Sequence, residues 1–356
     1  MAKGFSLNGY QVTLLGMNSV SSSKSYVDES NQSSLYPVVI PYTENPPSRS
    51  ENFDKWNRMR GEAIGYMRRF FEELDLSDTI LITLHVYVME HLIETGVKLE
   101  GEDGLAVIGM YHNSFDSCRD IGDLKRVKRS YSHARRFLAL TQADRDKYAA
   151  AGMTNASFMY NPVELLTTPR VLPPEEREKR VVYVGRFARE KRVPELVRIW
   201  ASISDQCPGW RFDIYGVGPE ENEIAKTILE CGVTESVTIC GKTQNPEQVL
   251  ADARLMVMAS DFEGLPVVIV EAGLVGTPTL ATECSPGMAV LISSGETGEL
   301  VKDRDYQSMA IRLRDLLQNP ELVSAYSRNA EMRMQEFGIA NIADQWESLF
   351  AKLELI

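Results

Sequence analysis

The feature that most constrains the fold of this chain is a regular alternation of short apolar runs with longer amphipathic stretches. The apolar runs are nearly continuous in Val, Ile and Leu, as in "TILITLH" at 79–85 and "RVVYVG" at 180–185. Such runs are typical of strands that are buried on both faces of a parallel sheet. Helical patterns such as "VPELVRIWASISDQ" at 193–206 separate them. This alternation predicts a doubly wound α/β fold.

The apolar runs fall into two sets, which predict two Rossmann-like domains. One set lies at 10–16, 79–85, 105–112, 136–141 and 156–161, and the other at 180–185, 211–216, 236–240, 254–260 and 277–282. Between the sets, residues 161–179 are rich in proline and charge, which indicates a linker. We therefore predict an N-terminal domain over 1–165 and a C-terminal domain over 166–334, facing each other across a cleft. Ligands of such sheets lie at the carboxyl ends of the strands.

Composition excludes several classes of protein. The net charge of −12 over 356 residues disfavours generic binding to nucleic acid, because that binding depends on Lys and Arg at the phosphates. No apolar run reaches the ~20 residues of a membrane span, and the start of the chain lacks a signal-peptide pattern. Five cysteines without close pairing fit free thiols in a reducing cytoplasm. No His or Cys spacing indicates a metal site.

Two acidic residues bracket an apolar run in "DFEGLPVVIVEAG". Pro266 suits the first turn of a helix, where its missing N–H is not needed. Gly264 and Leu265 would then lie at the helix N-terminus, where free amides and the helix dipole bind anions. Glu263 and Glu271 are placed to accept hydrogen bonds from the hydroxyls of one polyol ligand. An acid that interacts with the helix dipole, together with one surface Glu, explains the pair equally well.

Two further motifs follow predicted strands. In "YVGRFAREKR", Gly185 ends a strand, and Arg186 and Lys191 have the chemistry that binds phosphate. A solvated charged loop is the alternative interpretation, and for this motif alone it is the favoured one. In "YGVGPEE", Gly216 and Gly218 form half of a dinucleotide fingerprint, but the third glycine is missing. The half-motif favours a tight turn, and the lack of a complete fingerprint argues against a dehydrogenase.

The order of these motifs resembles the C-terminal half of the retaining glycosyltransferases of family 4, which have the GT-B fold. The hallmark of that family is two glutamates separated by seven residues, which match Glu263 and Glu271. Its Gly-Arg…Glu-Lys element matches "GRFAREK". The resemblance is close over 180–330 and looser over 100–165. It also implies that the closing helix, within 335–356, packs back on the N-terminal domain.

The resemblance implies a role for each matching residue at the donor. Arg186 and Lys191 would bind the donor diphosphate, and Glu271 would bind the ribose hydroxyls. Glu263 and the segment Gly264-Leu265-Pro266 would hold the transferred sugar and the phosphate nearest to it. The helix N-terminus and the two cations would offset the charge of the leaving group, so neither a metal nor another cofactor is expected.

Other matching positions lie at the ends of further strands. The base of the nucleotide would rest near Gly241 and Lys242, and the nucleotide would pass close to Gly185 and Gly216. His112 ends a strand of the N-terminal domain, where a family histidine touches the donor sugar. A structural histidine is the alternative interpretation for His112.

The activity that the resemblance implies is a metal-independent hexosyltransferase. It would move a sugar, with retention, from a nucleotide-diphospho-sugar such as a UDP-sugar to a hydroxyl of a glycan, polymer or lipid-linked acceptor, as in the synthesis of cell-envelope polysaccharides. The expected location is the cytoplasm or the inner face of the membrane. The alternative is a nucleotide-sugar-binding protein with impaired catalysis.

Three regions depart from simple expectations. The segment 124–137 contains six Lys and Arg residues, which indicates either a solvated helix or a dock for an anionic acceptor or a membrane surface. The start of the chain resembles a later helix-to-strand junction of the family, so the first strand and its glycine-rich loop are expected to be absent. That absence puts activity in doubt, and it predicts an exposed sheet position prone to aggregation or to homodimerisation. The serine-rich segment 17–57 indicates an exposed loop or insertion.

Overall fold

The chain forms two compact units in a computed structural model that describes residues 1–15, 38–39, 42, 46–99 and 104–355. The first unit comprises Met1–His112, Ile121–Met159 and Ala343–Ile356. The second unit comprises Asn113–Asp120 and Tyr160–Ile342. The serine-rich segment 17–57 lies mostly outside the described residues.

Four parallel strands form the sheet of the first unit, in the order β3-β4-β5-β6. They are β3 (Ile80–Thr83), β4 (Ala106–Met110), β5 (Arg136–Ala139) and β6 (Ala156–Phe158). A separate parallel pair is formed by β1 (Leu14–Leu15) and β2 (Val38–Val39), so the strand predicted at 10–16 is much shorter than expected. The helices up to β6 are α1 (Ala2–Leu7), α2 (Phe53–Glu72), α3 (Val86–Thr95), α4 (Phe115–Asp120), α5 (Leu124–Tyr131) and α6 (Gln142–Ala150), of which α4 belongs to the second unit.

One close contact sets the packing of α5 on this sheet. The ring of Tyr131 lies directly over Gly109 of β4, where a Cβ atom would come within 2.2 Å of the ring. The Tyr131 hydroxyl is buried and donates to the Met110 carbonyl at 3.0 Å. Glycine at this position therefore lets the helix approach the end of β4, which leads directly to His112.

Six parallel strands form the sheet of the second unit, in the order β12-β11-β10-β7-β8-β9. They are β7 (Arg180–Val184), β8 (Arg211–Tyr215), β9 (Val237–Gly241), β10 (Leu255–Met258), β11 (Thr279–Glu283) and β12 (Gly298–Lys302). The helices are α7 (Val193–Ala201), α8 (Glu221–Glu230), α9 (Pro246–Asp252), α10 (Val267–Leu274), α11 (Pro286–Leu291), α12 (Tyr306–Gln318), α13 (Pro320–Met334) and α14 (Ile339–Lys352). Short 3-10 turns lie at Leu76–Asp78, Pro174–Glu176, Arg189–Lys191, Ser204–Gln206 and Gln335–Phe337.

The strand order of the second unit contains a topological switch between β7 and β10. The chain runs outward from β7 to β8 and β9, and then returns to β10 on the other side of β7. Loops that follow β7 and β10 therefore leave the sheet side by side in opposite directions, which opens a crevice at the carboxyl ends of these strands. The two parallel sheets with their helices confirm the predicted α/β class.

The proline-rich segment predicted as a linker is held on the second unit by specific contacts. The Leu166 amide donates to Glu247 Oε1 at 3.0 Å, and the Arg170 amide donates to Gln248 Oε1 at 2.9 Å. Glu247 and Gln248 both lie in α9. The segment lacks an apolar period because hydrogen bonds rather than apolar side chains attach most of it.

Arg177 is the deepest of these attachments, with only 3% of its surface exposed. Its guanidinium donates to the carbonyls of Val275 at 2.8 Å, Gly276 at 2.9 Å and Ala253 at 3.2 Å, which follow the C-termini of α10 and α9. Burial lowers the pKa of Arg177, and no carboxylate hydrogen-bonds to its side chain among the described residues. A cation at two helix C-termini satisfies their free carbonyls and their dipoles.

We predict that Arg177→Ala destabilises the protein by about 3 kcal/mol or more, because it leaves several buried carbonyls without donors. Arg177→Lys should cause a smaller loss, since it keeps the charge but has fewer donors. Urea denaturation followed by circular dichroism measures both. Arg170→Ala is the control, because Arg170 is exposed; an equal effect of Arg170→Ala and Arg177→Ala would contradict this role.

Candidate functional site

An ion pair joins the two loops at the switch point of the second sheet. The Lys191 ammonium lies 2.6 Å from Glu263 Oε1, and the side chains are 21% and 10% exposed respectively. The buried Ser260 hydroxyl donates to the same Glu263 oxygen at 2.7 Å. Lys191 ends the 3-10 turn after β7, whereas Ser260 and Glu263 follow β10. The structure thus brings together two predicted residues that are far apart in the sequence.

Arg186 has a different environment, although it lies in the same loop as Lys191. Its side chain is 69% exposed and donates to Glu190 Oε1 at 2.6 Å. Gly185, the preceding residue, has no room for a side chain, because a Cβ atom would lie 2.8 Å from the Tyr183 hydroxyl. Arg186 therefore remains accessible to a ligand from solvent, whereas Lys191 is held in place within the crevice.

The glycines after β8 allow two loops to pack backbone against backbone. Gly216 and Gly218 have φ angles of 152° and 157°, where side chains are unfavourable. A Cβ atom on Gly216 would lie 1.9 Å from the Gly185 carbonyl oxygen, and one on Gly218 would lie 2.3 Å from that of Phe187. The Phe187 amide donates to the Val217 carbonyl at 2.9 Å. These glycines hold the loop that carries Arg186 and Lys191 against the sheet.

Helix α10 presents an uncapped N-terminus beside this ion pair. Pro266 is its N-cap, so the helix begins at Val267, one residue later than predicted. No side chain accepts a hydrogen bond from the first turn. No acid lies in that turn. Gly264 and Leu265 are buried, and a Cβ atom on Gly287 of α11 would come within 1.9 Å of the Gly264 carbonyl. The loop is therefore fixed from behind while the first amides of the helix are left open to an anion.

Glu271 lies one turn into α10. Burial raises the pKa of its carboxyl, and the neighbouring carboxylate of Glu247 raises it further. Within the described residues, Glu271 has no hydrogen-bond or ion-pair partner, whereas Glu247 accepts from the Leu166 amide. A partly buried acid without donors is destabilised until hydroxyl groups reach it.

The end of β9 provides open space at the same edge of the sheet. Gly241 adopts φ 71°, and no atom lies within 4 Å of an added Cβ. The exposed Lys242 follows. Both positions are compatible with the predicted place for a planar base, which stays a prediction.

His112 follows β4 in the first unit. Its surface is exposed, yet the surrounding protein atoms and the nearby imidazole of His85 lower its pKa. His85 is the N-cap residue of α3, and its ring stacks on Tyr87 with centroids 5.1 Å apart. The guanidinium of Arg126 lies 4.0 Å from the Tyr87 ring centroid. His85 was missed in the sequence, although both histidines occupy the position two residues after a strand.

The basic segment 124–137 divides between structural and exposed cations. Helix α5 ends at Tyr131, and the remaining arginines lie beyond it. Arg126 forms two hydrogen bonds of 2.7 Å with Glu90, which raise the pKa of Arg126. Lys128 donates to the Ala151 carbonyl, and Arg129 is 78% exposed. Only part of the segment therefore presents free charge to solvent.

Two classes of feature are missing from the described part of the chain. No cluster of three or more His, Cys, Asp or Glu side chains is arranged to hold a metal ion. Among the described helices, none has both the length and the apolar character needed to cross a bilayer.

Comparison with known proteins identifies the second unit. Residues 167–333 match the family described as glycosyl transferases group 1. This match lies within the second unit and covers just under half of the chain. The predicted resemblance to glycosyltransferases is confirmed by this match. Assignment to family 4 stays a prediction.

The similarity extends beyond this domain, but it spans only part of the curated relatives. An uncharacterized glycosyltransferase of Haemophilus influenzae is 26% identical over 60% of this chain and 63% of its own length. The poly(ribitol-phosphate) α-N-acetylglucosaminyltransferase of Staphylococcus aureus is 25% identical over 78% of this chain and 56% of its own length. The chain therefore spans less than two thirds of these relatives.

Solved structures confirm the fold. The sucrose-phosphate synthase of Thermosynechococcus elongatus superposes with a TM-score of 0.79 at 18% identity, covering 99% of this chain and 91% of that protein. The TarM structure from S. aureus gives a TM-score of 0.72 at 22% identity, covering 81% and 59%. These are glycosyltransferases of the GT-B class, so the predicted GT-B fold is confirmed.

We predict that Glu271→Gln stabilises the ligand-free protein at neutral pH. A raised carboxyl pKa means that ionisation of Glu271 destabilises the fold above that pKa, and the effect vanishes below the ordinary value of 4.5, where the group is protonated in both states. The gain in melting temperature should therefore shrink as the pH falls from the raised pKa towards 4.5.

Glu299→Gln is the matched control for this measurement. Glu299 is also buried, but it accepts from the Tyr326 hydroxyl at 2.6 Å and from Ser294 Oγ at 3.1 Å. Its replacement removes a satisfied acceptor and should destabilise the protein. A destabilising effect of Glu271→Gln of similar size would show that Glu271 has structural partners.

Proposed function

We propose that this protein is a retaining hexosyltransferase that moves a sugar from a nucleotide-diphospho-sugar, with UDP as the nucleotide, to an acceptor hydroxyl. The observation that carries this proposal is the Lys191–Glu263 pair at the switch point, directly before the uncapped N-terminus of α10. A cation and open amides at one edge of a sheet are the groups that bind a diphosphate.

The leaving group explains why these charges lie together. Breaking the bond between sugar and phosphate leaves negative charge on the diphosphate, which Lys191, Arg186 and the first amides of α10 offset. Their positions are set before the reaction, so little reorganisation is needed as the charge develops. In this mechanism no metal is required, because the protein supplies the compensating charge.

The two glutamates bind hydroxyl groups on either side of that diphosphate. Glu271 has lost water without gaining a partner among the described residues, so ribose hydroxyls would supply its missing donors. Glu263 shares its Oε1 atom between Lys191 and Ser260, which leaves Oε2 for a hydroxyl of the transferred sugar. Retention follows if the acceptor attacks on the face that the leaving group departs from, and in that case neither glutamate acts as a nucleophile.

The similar proteins support the choice of donor and acceptor. Structural neighbours were solved with UDP, with UDP-glucose, or with UDP and N-acetylglucosamine. Sequence relatives modify poly(ribitol-phosphate), poly(glycerol-phosphate) or lipopolysaccharide. We therefore propose a glycan, a polymer or a lipid-linked precursor of the cell envelope as the acceptor, and His112 as a residue that contacts the sugar. A cytoplasmic location, with contact to the inner membrane face, belongs to the same proposal.

We predict that Lys191→Ala weakens UDP binding by about tenfold or more, because a charge-assisted hydrogen bond contributes about 1.5–3 kcal/mol. Isothermal titration calorimetry of wild type and variant measures the loss. Lys226→Ala is the matched control, since Lys226 also forms ion pairs within the second unit but is 62% exposed on α8. Unchanged UDP affinity in Lys191→Ala would show that the diphosphate does not bind at this position.

We predict that Glu271→Gln also weakens UDP binding, by about tenfold, because the neutral amide is a poorer acceptor for ribose hydroxyls. A variant that is more stable yet binds its ligand more weakly separates a lost contact from a damaged fold. A thermal-shift screen of UDP, GDP and ADP with their common sugars identifies the donor, since ligands that bind only the folded state raise the melting temperature. Tight UDP binding without slow hydrolysis of any UDP-sugar would instead indicate a binding protein.

A further inference from the structure

Asp261 is the centre of a second ion-pair cluster next to the proposed diphosphate site. Its Oδ2 atom accepts from Arg192 Nε at 2.7 Å, and its Oδ1 atom accepts from Arg304 Nη2 at 3.1 Å. Only 10% of the Asp261 side chain is exposed. The three residues come from the loops that follow β10, β7 and β12, so one carboxylate ties three loops together.

Both arginines have a backbone conformation that is unfavourable for residues with a side chain. Arg192 adopts φ 52° and Arg304 adopts φ 59°, and among the described residues only Glu354 shares this property outside glycine. A left-handed conformation costs about 1–2 kcal/mol for such residues, and it persists where the surroundings enforce it. The shared carboxylate is the contact that the two strained residues have in common.

The contacts of Asp261 lie on both sides of Lys191. The Asp261 amide donates to the Glu190 carbonyl at 2.7 Å, and its side chain holds Arg192. The residues before and after Lys191 are therefore both attached to Asp261. Asp261 also lies two residues before Glu263, the ion-pair partner of Lys191. The position of Lys191 relative to Glu263 thus depends on Asp261. Among the described hydrogen bonds, none joins Asp261 to the side chain of Lys191 or of Glu263.

We propose that Asp261 is a positioning residue for the donor diphosphate, acting through Lys191 and Glu263. This inference rests on the proposed function. Arg192 and Arg304 are then anchors of the two loops, because each donates to the Asp261 carboxylate. The cluster keeps the Lys191 ammonium at a fixed distance from α10, and a misplaced ammonium binds the diphosphate less tightly.

The test compares UDP affinity in Asp261→Asn with that of wild type by calorimetry. The variant keeps the size of the side chain but removes the charge and turns an amide towards an arginine, so we expect a loss of about tenfold in affinity. With the UDP-sugar identified, KM for the donor should rise while KM for the acceptor stays unchanged. Asp261→Asn that binds UDP as wild type does would overturn the proposal.

The matched control is Asp213→Asn. Asp213 also lies between two arginines, Arg180 and Arg211, each 3.5 Å from Oδ2, and its side chain is 9% exposed. It lies within β8, outside the loops of the proposed site. We expect Asp213→Asn to change stability but not UDP affinity. Equal losses of UDP affinity in both variants would mean that any broken buried ion pair weakens binding. That result would contradict a specific role for Asp261.

A double-mutant cycle tests whether Asp261 acts through Lys191. In the Lys191→Ala background, Asp261→Asn should cause little further loss, because the residue that it positions is gone. Fully additive losses would contradict action through Lys191. Arg304→Gln removes one exposed anchor and covers the case in which Asp261→Asn does not fold; it should lower UDP affinity by about threefold, and no change would count against the proposal.

Failure of the inference is distinguishable from failure of the proposed function. If wild type binds none of UDP, GDP or ADP, the diphosphate site itself is wrong. If wild type and Asp213→Asn bind UDP equally and Lys191→Ala binds it more weakly, the site stands. Under that outcome, only the behaviour of Asp261→Asn decides the role of Asp261.

Discussion

The contact between Lys191 and Glu263 depends on the strand order of the second sheet more than on any local sequence. The two residues are 72 positions apart, and they meet because β7 and β10 are neighbours while their connections diverge. Every other feature of the crevice supports this meeting. Gly216 and Gly218 press one loop onto the sheet, Gly287 supports the other, and Asp261 ties the two together. A crevice built in this way is rigid behind the ion pair and open in front of it.

Arg177, which is buried, and Glu271, which is partly buried, are two ionisable residues of the same unit with different environments. Arg177 serves stability, and we propose that Glu271 serves binding. Arg177 loses water but gains carbonyl acceptors from two helix ends, so its burial is compensated. Glu271 loses water and gains no partner among the described residues. An uncompensated acid lowers the stability of a free protein, and binding of hydroxyl groups recovers that free energy. This difference in hydrogen-bond partners distinguishes Arg177, a structural residue, from Glu271, a proposed ligand-binding residue, without the use of any relative.

Much of the second unit was predictable from the sequence because four of its strands, β7, β8, β10 and β11, are buried over most of their length. Five consecutive apolar runs identify such strands directly, as "LMVM" does for β10. Strand β12, "GELVK", was missed because it lies at the sheet edge and contains only two adjacent apolar side chains, Leu300 and Val301. The segment around Arg177 was interpreted as a linker because its attachment uses a buried cation and backbone carbonyls, which leave no apolar pattern. Within the described residues, the strand predicted at 10–16 is paired only at Leu14–Leu15.

The residues of the proposed site likewise divide into those that the sequence predicts and those that only the structure reveals. Lys191, Glu263 and Glu271 lie in motifs whose spacing is visible in the chain, so the sequence was sufficient to name them. Asp261 belongs to the same stretch as Glu263, yet its partners Arg192 and Arg304 follow other strands, and no spacing rule connects the three. Their positive φ angles are likewise invisible, because arginine is not a residue from which a left-handed conformation is expected. Motifs predict the groups that we propose to contact a ligand, whereas the groups that hold them in place become visible only when the order of the strands is known.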